Sequence, residues 1–258
     1  MATYNKRGYK TPKPAEVNDV EPTEEDFDGK STTAEVFDSL DEGASKTEEW
    51  VEKNQKMIFL VLGILATITV LYLLYIKFIV EPKEEEAANE MFQAEQYFTQ
   101  AVDAQTANDS LFNLALNGGE GKLGFLGIIE NYSGTDAANL AHYFSGMAYL
   151  NTGKYKEAVA QFDEFSTDDE ILKTMSEGAV GDAFAQLGQN DVALEYYTKA
   201  ANASENELTT PRYLFKAGQA ALALDKKEEA LKHFKEIKEN YSASQEAVSI
   251  DAYIAMTE

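Results

Sequence analysis

Residues 146–162 read GMAYLNTGKYKEAVAQF, and the same template returns as GDAFAQLGQNDVALEYY at 181–197 and GQAALALDKKEEALKHF at 218–234. Counted from the leading glycine, position +3 holds Tyr149, Phe184 and Ala221, and position +12 holds Ala158, Ala193 and Ala230. Position +16 is aromatic each time: Phe162, Tyr197 and Phe234. The anchors lie 35 and 37 residues apart. Small residues at the anchor and at +12 allow two helices to approach closely, and the aromatics fill the space around them. Gly153 and Gly188 at +7 suit a turn with positive φ, which costs a side-chain-bearing residue more. In the third copy Asp225 takes that place, and Asp225-Lys-Lys-Glu-Glu-Ala230 still reads as turn then helix. The pattern predicts an all-α chain built of helix–turn–helix units, clear over 139–168, 174–204 and 211–243.

A fourth, degenerate unit precedes them. Phe125-Leu-Gly-Ile-Ile-Glu-Asn-Tyr-Ser-Gly-Thr135 matches Phe234-Lys-Glu-Ile-Lys-Glu-Asn-Tyr-Ser-Ala-Ser244 in register at Phe, Ile, Glu, Asn, Tyr and Ser. Glu84 to Leu116 supplies the opening helices, Asn117 to Gly121 an irregular turn, and Gln245 to Met256 a closing helix. The spacing resembles the tetratricopeptide repeat, a helix–turn–helix unit of about 34 residues. That resemblance implies a helical-repeat solenoid over 84–258, whose end units are atypical.

Residues Met57 to Ile76, MIFLVLGILATITVLYLLYI, form a run of 20 without a charge. At about 1.5 Å per residue such a helix matches the hydrocarbon thickness of a bilayer. No polar face interrupts it, so the expectation is a transmembrane helix over 57–80, uncleaved because the run starts too late and is too long for a signal peptide. Tyr72, Tyr75 and Lys77 suit the interface at its end. Lys6, Arg7, Lys10 and Lys13 precede any acid, whereas Glu84, Glu85 and Glu86 follow the span. The basic excess points to a cytoplasmic N-terminus and a C-terminal domain on the other side.

Ahead of the span, residues 1–33 hold three of the five prolines and few large aliphatics, the composition of a disordered tail. Over 34–56 two short juxtamembrane amphipathic helices are expected. Val36, Phe37 and Leu40 share a face that suits cytoplasmic docking, and Ser45-Lys-Thr-Glu48 reads as a capping box opening the second helix.

A single span followed by such repeats resembles the membrane-anchored tetratricopeptide proteins of the YfgM type, ancillary subunits of the bacterial SecYEG translocon. NLAHYFSGMAYLNTGKYKEA and AEVFDSLDEGASKTEEW resemble the Bacteroidota version. The resemblance implies a single-pass inner-membrane protein with periplasmic repeats, whose partners are the translocon and a periplasmic chaperone. Alternatives are an envelope-assembly or cell-division coordinator, or an organelle import receptor of opposite topology.

The chemistry points away from catalysis. There is no cysteine, and 45 acidic against 22 basic side chains leave a net charge of −23, which repels nucleic acid. His142 and His233 lie in different repeats without ligand-spaced partners, and Asp168-Asp169 and Glu228-Glu229 sit where carboxylates start helices. Gly118, Gly119 and Gly121 lack the strand and the Gly-Lys-Ser/Thr of a phosphate loop. No enzyme, cofactor, metal or small-molecule substrate is expected.

The repeat resemblance further implies that the first helix of each pair lines a concave binding face. It maps onto Leu140, Tyr143, Met147, Leu150 and Asn151, then Met175, Asp182, Ala185 and Gln186, then Arg212, Phe215, Gln219 and Leu222. Tyr143, Met147, Asn151, Asp182, Gln186, Arg212, Phe215 and Gln219 form the candidate partner groove. The competing reading is that several of these pack beneath the closing helix.

Overall fold

A computed structural model describes the backbone of residues 32–104 and 108–258, and the side chains among them from Thr47 onward. The expected disordered tail (apart from its last two residues) and the side chains of Val36, Phe37 and Leu40 lie outside the described residues. Those that are described form α-helices joined by turns, with one isolated bridge, Gly119 to Lys122, and no strand. The chain divides into two units, Met1–Thr67 and Ile68–Glu258.

Helix α1 runs from Thr32 to Tyr75. The two juxtamembrane helices expected over 34–56 are therefore one helix with the membrane span, and the Ser45–Glu48 box lies inside it. Residues 34–56 contain no proline, and their one glycine, Gly43, costs a helix only about 1 kcal/mol. Every side chain from Phe59 to Tyr75 is exposed. Among the described residues this is the one helix long and apolar enough to cross a membrane.

The second unit begins within that helix. The expected span ends at residue 80 and the expected repeats open at Glu84, and the chain stays helical through Pro82 between them. A π-helical turn spans Ile76–Val80, and α2 (Glu81–Asp103) follows with Pro82 in its first turn. Proline has no N–H to give the Phe78 carbonyl and its ring crowds it. Glu81 N–H instead reaches back five residues to Ile76 O, which opens the turn.

Helix α2 buries Ala87, Met91, Ala94 and Ala101 against α3 (Asp109–Asn117), α4 (Phe125–Asn131) and α5 (Asp136–Asn151). Three helix pairs follow: α5 with α6 (Tyr155–Glu164), α7 (Glu170–Gln186) with α8 (Asn190–Ala203), and α9 (Thr210–Ala223) with α10 (Lys227–Asn240). Each of these helices packs on the next in sequence.

The template residues meet as the spacing required. A methyl group on Gly146 would lie 2.7 Å from the Phe162 ring, and one on Gly181 the same distance from Tyr197. Gly218 stands against Phe234 in the same way. Ala158, Ala193 and Ala230 are fully buried. All three pairs turn through the same pattern of hydrogen bonds. Lys154 N–H donates to Tyr149 O, Gln189 to Phe184 and Lys226 to Ala221, each at 2.9 Å. Beside these, Gly153 N–H donates to Leu150 O, Gly188 to Ala185 and Asp225 to Leu222, completing a Schellman motif each time. The residue at the centre has positive φ: 75° at Gly153, 74° at Gly188 and 57° at Asp225.

The degenerate fourth unit ends as the third one does. Tyr132 N–H donates to Ile128 O and Tyr241 to Ile237, both at 2.9 Å, and Phe125, Ile128, Phe234 and Ile237 are all fully buried. The closing helix is shorter than expected. Glu246–Ser249 form a 3-10 turn, and only Ile250–Ala255 form α11.

Candidate functional site

Seven of the eight residues of the expected groove separate into three groups, and Asp182 stands apart from them. Tyr143 is not on a surface at all. It is 6 % exposed and packs with Ala158, Phe162, Ala179 and Val180. Its ring lies 5.3 Å from that of Phe165 and 5.6 Å from that of Phe144. Burial raises its phenol pKa. The expectation that Tyr143 lines an open groove is corrected: its ring fills the seam between one helix pair and the next.

Phe215 and Gln219 form the second group, and both meet α11. The Tyr253 ring meets Phe215 edge-on at 4.7 Å, and Gln219 Nε2 donates to Tyr253 Oη at 3.3 Å. Phe215 is half-buried there and completes the cluster around Phe234. For Phe215 the competing reading, packing beneath the closing helix, describes the arrangement, whereas Gln219 stays exposed and meets α11 only through its amide.

Asp182 belongs to neither group, because its charge is already used. Tyr197 Oη donates to its carboxylate at 2.7 Å, and Lys216 Nζ lies 2.6 Å away. Lys216 also stands over the rings of Tyr197 and Tyr213, at 5.7 and 5.9 Å. This cluster ties α7, α8 and α9 together. Burial first, then the Asp182 charge, raises the Tyr197 phenol far above its usual range and pushes Tyr213 up to about 12. Both rings therefore stay neutral at any physiological pH.

Met147, Asn151, Gln186 and Arg212 make up the third group. Asn151, Gln186 and Arg212 are exposed, and Met147 is half-buried against the Tyr143 cluster. Asn151 Nδ2 donates to Met147 O at 2.8 Å, which fixes its amide on the helix. Gln186 Oε1 accepts from Tyr155 Oη at 3.4 Å. What remains open is an amide- and methionine-bearing surface, suited to adaptable contacts with a polypeptide.

Sequence reasoning missed two features of this region. Asn139 clamps the loop between α6 and α7, donating through Nδ2 to Ser166 O at 2.7 Å and accepting from Ser166 N at 3.0 Å. A surface cleft of about 770 Å³ adjoins this clamp, lined by Thr135, His142, Phe165 and Leu172 among others. His142 Nδ1 lies 2.9 Å from Gln161 Oε1, which orients the ring. The second feature is Glu177, an acid that is buried on α7 and paired with Lys199. Its position four residues before the anchor Gly181, where a helix faces its neighbours, was the available signal.

The remaining polar groups cap or pack. Asp169 Oδ1 accepts from Ile171 N at 2.9 Å and from Leu172 N at 2.8 Å, capping α7. Glu228 and Glu229 lie in the first turn of α10, facing its positive end. His233 is buried, and burial lowers its pKa against the opposing pull of Glu229. Among the described residues no group of three His, Asp or Glu side chains converges as a metal site.

Residues 126–253 match the family model described as T7SS, ESX-1 secretion system protein EccA1, N-terminal domain. The matched stretch begins in α4 and ends in α11, just under half of the chain. No curated protein and no solved structure matches.

Proposed function

We propose that this protein is a membrane-tethered scaffold of tetratricopeptide type that binds other proteins and serves protein export. The observation that carries the reading is the combination of one exposed apolar helix with three helix pairs that repeat the same glycine–aromatic contact and the same turn. An isolated, all-round apolar helix is stable in lipid and costly in water, whereas repeated pairs present an extended surface to a polypeptide. The likeness of residues 126–253 to a domain of a secretion-system protein supports the link to export.

In this reading the N-terminus is cytoplasmic and the repeats face the periplasm of a bacterial inner membrane, as an ancillary subunit beside the Sec translocon and a periplasmic chaperone. We assign it no reaction: Asp169 caps α7, and Glu228 and Glu229 lie at the positive end of α10. A photocrosslinking amino acid at Met147, Gln186 or Arg212, used in native membranes, tests the proposal. Adducts with translocon subunits and exported chains are the expected result. Adducts confined to division or envelope-assembly proteins would transfer the scaffold to that second role. A phosphatase fused after Glu258 reports the topology, and the reading requires it to be active outside the cytoplasm.

A further inference from the structure

Between the end of α6 and helices α7 and α8 lies a second cleft, of about 370 Å³. Its apolar walls include Phe162, Phe165 and Val180; Glu177, Tyr196 and Lys199 lie on its polar side, and the charges of Asp163 and Lys173, of opposite sign, also border it. Glu177 is 8 % exposed, a rare place for a carboxylate unless it meets a cation. One of its oxygens, Oε1, lies 2.9 Å from Lys199 Nζ, while the buried Oε2 has no hydrogen-bond partner in the protein. The Lys199 side chain is 62 % exposed and its ammonium stands 5.9 Å from the centre of the Tyr196 ring. Tyr196 is itself held in place by stacking on Phe184 at 5.6 Å.

These are the parts of a cation receptor: a desolvated carboxylate with an unused oxygen, an aromatic ring, and an apolar cleft alongside. A lysine ammonium engages the carboxylate at a single point, whereas a guanidinium can grip both oxygens and stack on a ring. Lys199 is mostly in solvent and is held by one ion pair and one ring contact, so a better-fitting cation can displace it. We propose that Glu177 and Tyr196 form a receptor for the cationic side chain of a basic polypeptide segment, a place Lys199 fills in the free protein. The acidic excess of the repeat domain, 31 acidic against 13 basic side chains over 81–258, favours such a partner by steering it towards the domain. The inference rests on the scaffold reading and specifies one kind of segment that the scaffold accepts.

The test uses the full chain in nanodiscs and a fluorescein-labelled octapeptide of alternating arginine and glycine. Charge-assisted hydrogen bonds to a buried partner are worth about 1.5–3 kcal/mol, so Glu177→Gln should weaken binding roughly tenfold or more. Glu228→Gln, an exposed change of equal charge, should leave it nearly unaltered, and Lys199→Ala should strengthen it. Should Glu177→Gln lower the melting temperature too far, Tyr196→Leu provides the same loss with the carboxylate intact. In protein with ¹³C-methylated lysines, the Lys199 resonance should move on titration with the peptide. Equal binding by Glu177→Gln and Glu228→Gln, or a Lys199 signal that stays fixed at saturation, would overturn the receptor. Spermidine competing as well as the peptide would overturn the polypeptide occupant. Crosslinking from Gln186 reports on the scaffold reading independently of all these results.

Discussion

Gly146 on α5 lies so near Phe162 on α6 that a methyl group added to it would sit 2.7 to 2.8 Å from three atoms of the ring. Phe162 is almost fully buried and its other side packs against the Tyr143 ring, 6.1 Å away. Gly146→Ala should therefore destabilise the domain by about 1–3 kcal/mol through overpacking, although alanine is the better helix former. Chemical denaturation of the full chain in detergent measures it, and a stabilised variant would refute the close approach.

Asp225 makes the opposite case. It holds φ at 57° in the turn where Gly153 and Gly188 stand in the other pairs. Asp225→Gly should stabilise by about 0.5–1 kcal/mol, since glycine takes that conformation without strain. Gly188→Ala should lose about as much. Melting temperatures of the two variants must move in opposite directions.

Tyr143 and Gln186 were both groove residues by the repeat resemblance, and their truncations should now behave differently. Tyr143→Ala removes a buried ring and should cost about 3–5 kcal/mol, the range for large aromatic truncations. Gln186→Ala removes an exposed amide and should stay within about 0.5 kcal/mol of the parent. Any loss of partner crosslinking in the Gln186 variant thus reports on binding, whereas a loss in the Tyr143 variant reports on folding.

His233 makes stability depend on pH. Burial lowers its folded-state pKa below the ordinary value of 6.5, so the unfolded chain binds the proton more readily. The contribution is complete above pH 6.5 and falls away as pH drops through the lowered folded value. Urea midpoints at pH 7.5 and pH 5.5 should differ more for the parent than for His233→Gln. Equal differences would remove His233 as the source.

The apolar helix makes a prediction of its own. Ile64→Arg places a charge near the middle of the span, at a cost of roughly 2.5–3.5 kcal/mol for insertion. The variant should be extracted by alkaline carbonate far more readily than the parent. Unchanged membrane retention would contradict the span.

Much of the second unit was legible because small and aromatic residues at fixed offsets leave few packing choices. Glycines 146, 181 and 218 each met the ring sixteen residues later, and even the aspartate turn followed. Tyr143 was misplaced for an identifiable reason. An aromatic three residues before an anchor looks the same whether it faces a partner or the next hairpin. The second copy held the clue, since Gly178 occupies that offset and the ring of Tyr213 stands against it. A position that accommodates a neighbouring ring in one unit is a seam in all of them. The burial of Glu177 had a signal in its spacing from Gly181, but its pairing with Lys199 had none, because the two sit on different helices. The continuous first helix was hidden by a motif, Ser45 to Glu48, that can start a helix but does not compel a break before it.

Helices α6 to α10 draw most of their packing from those adjacent in sequence, and α11, six residues long, lies at one extremity. Such an array behaves as a row of coupled dominoes rather than a single block, so opening spreads inward from an end. Amide protons of α11 should exchange first and those beneath Phe125 and Ile128 late. An injury to the last pair therefore leaves the earlier ones standing.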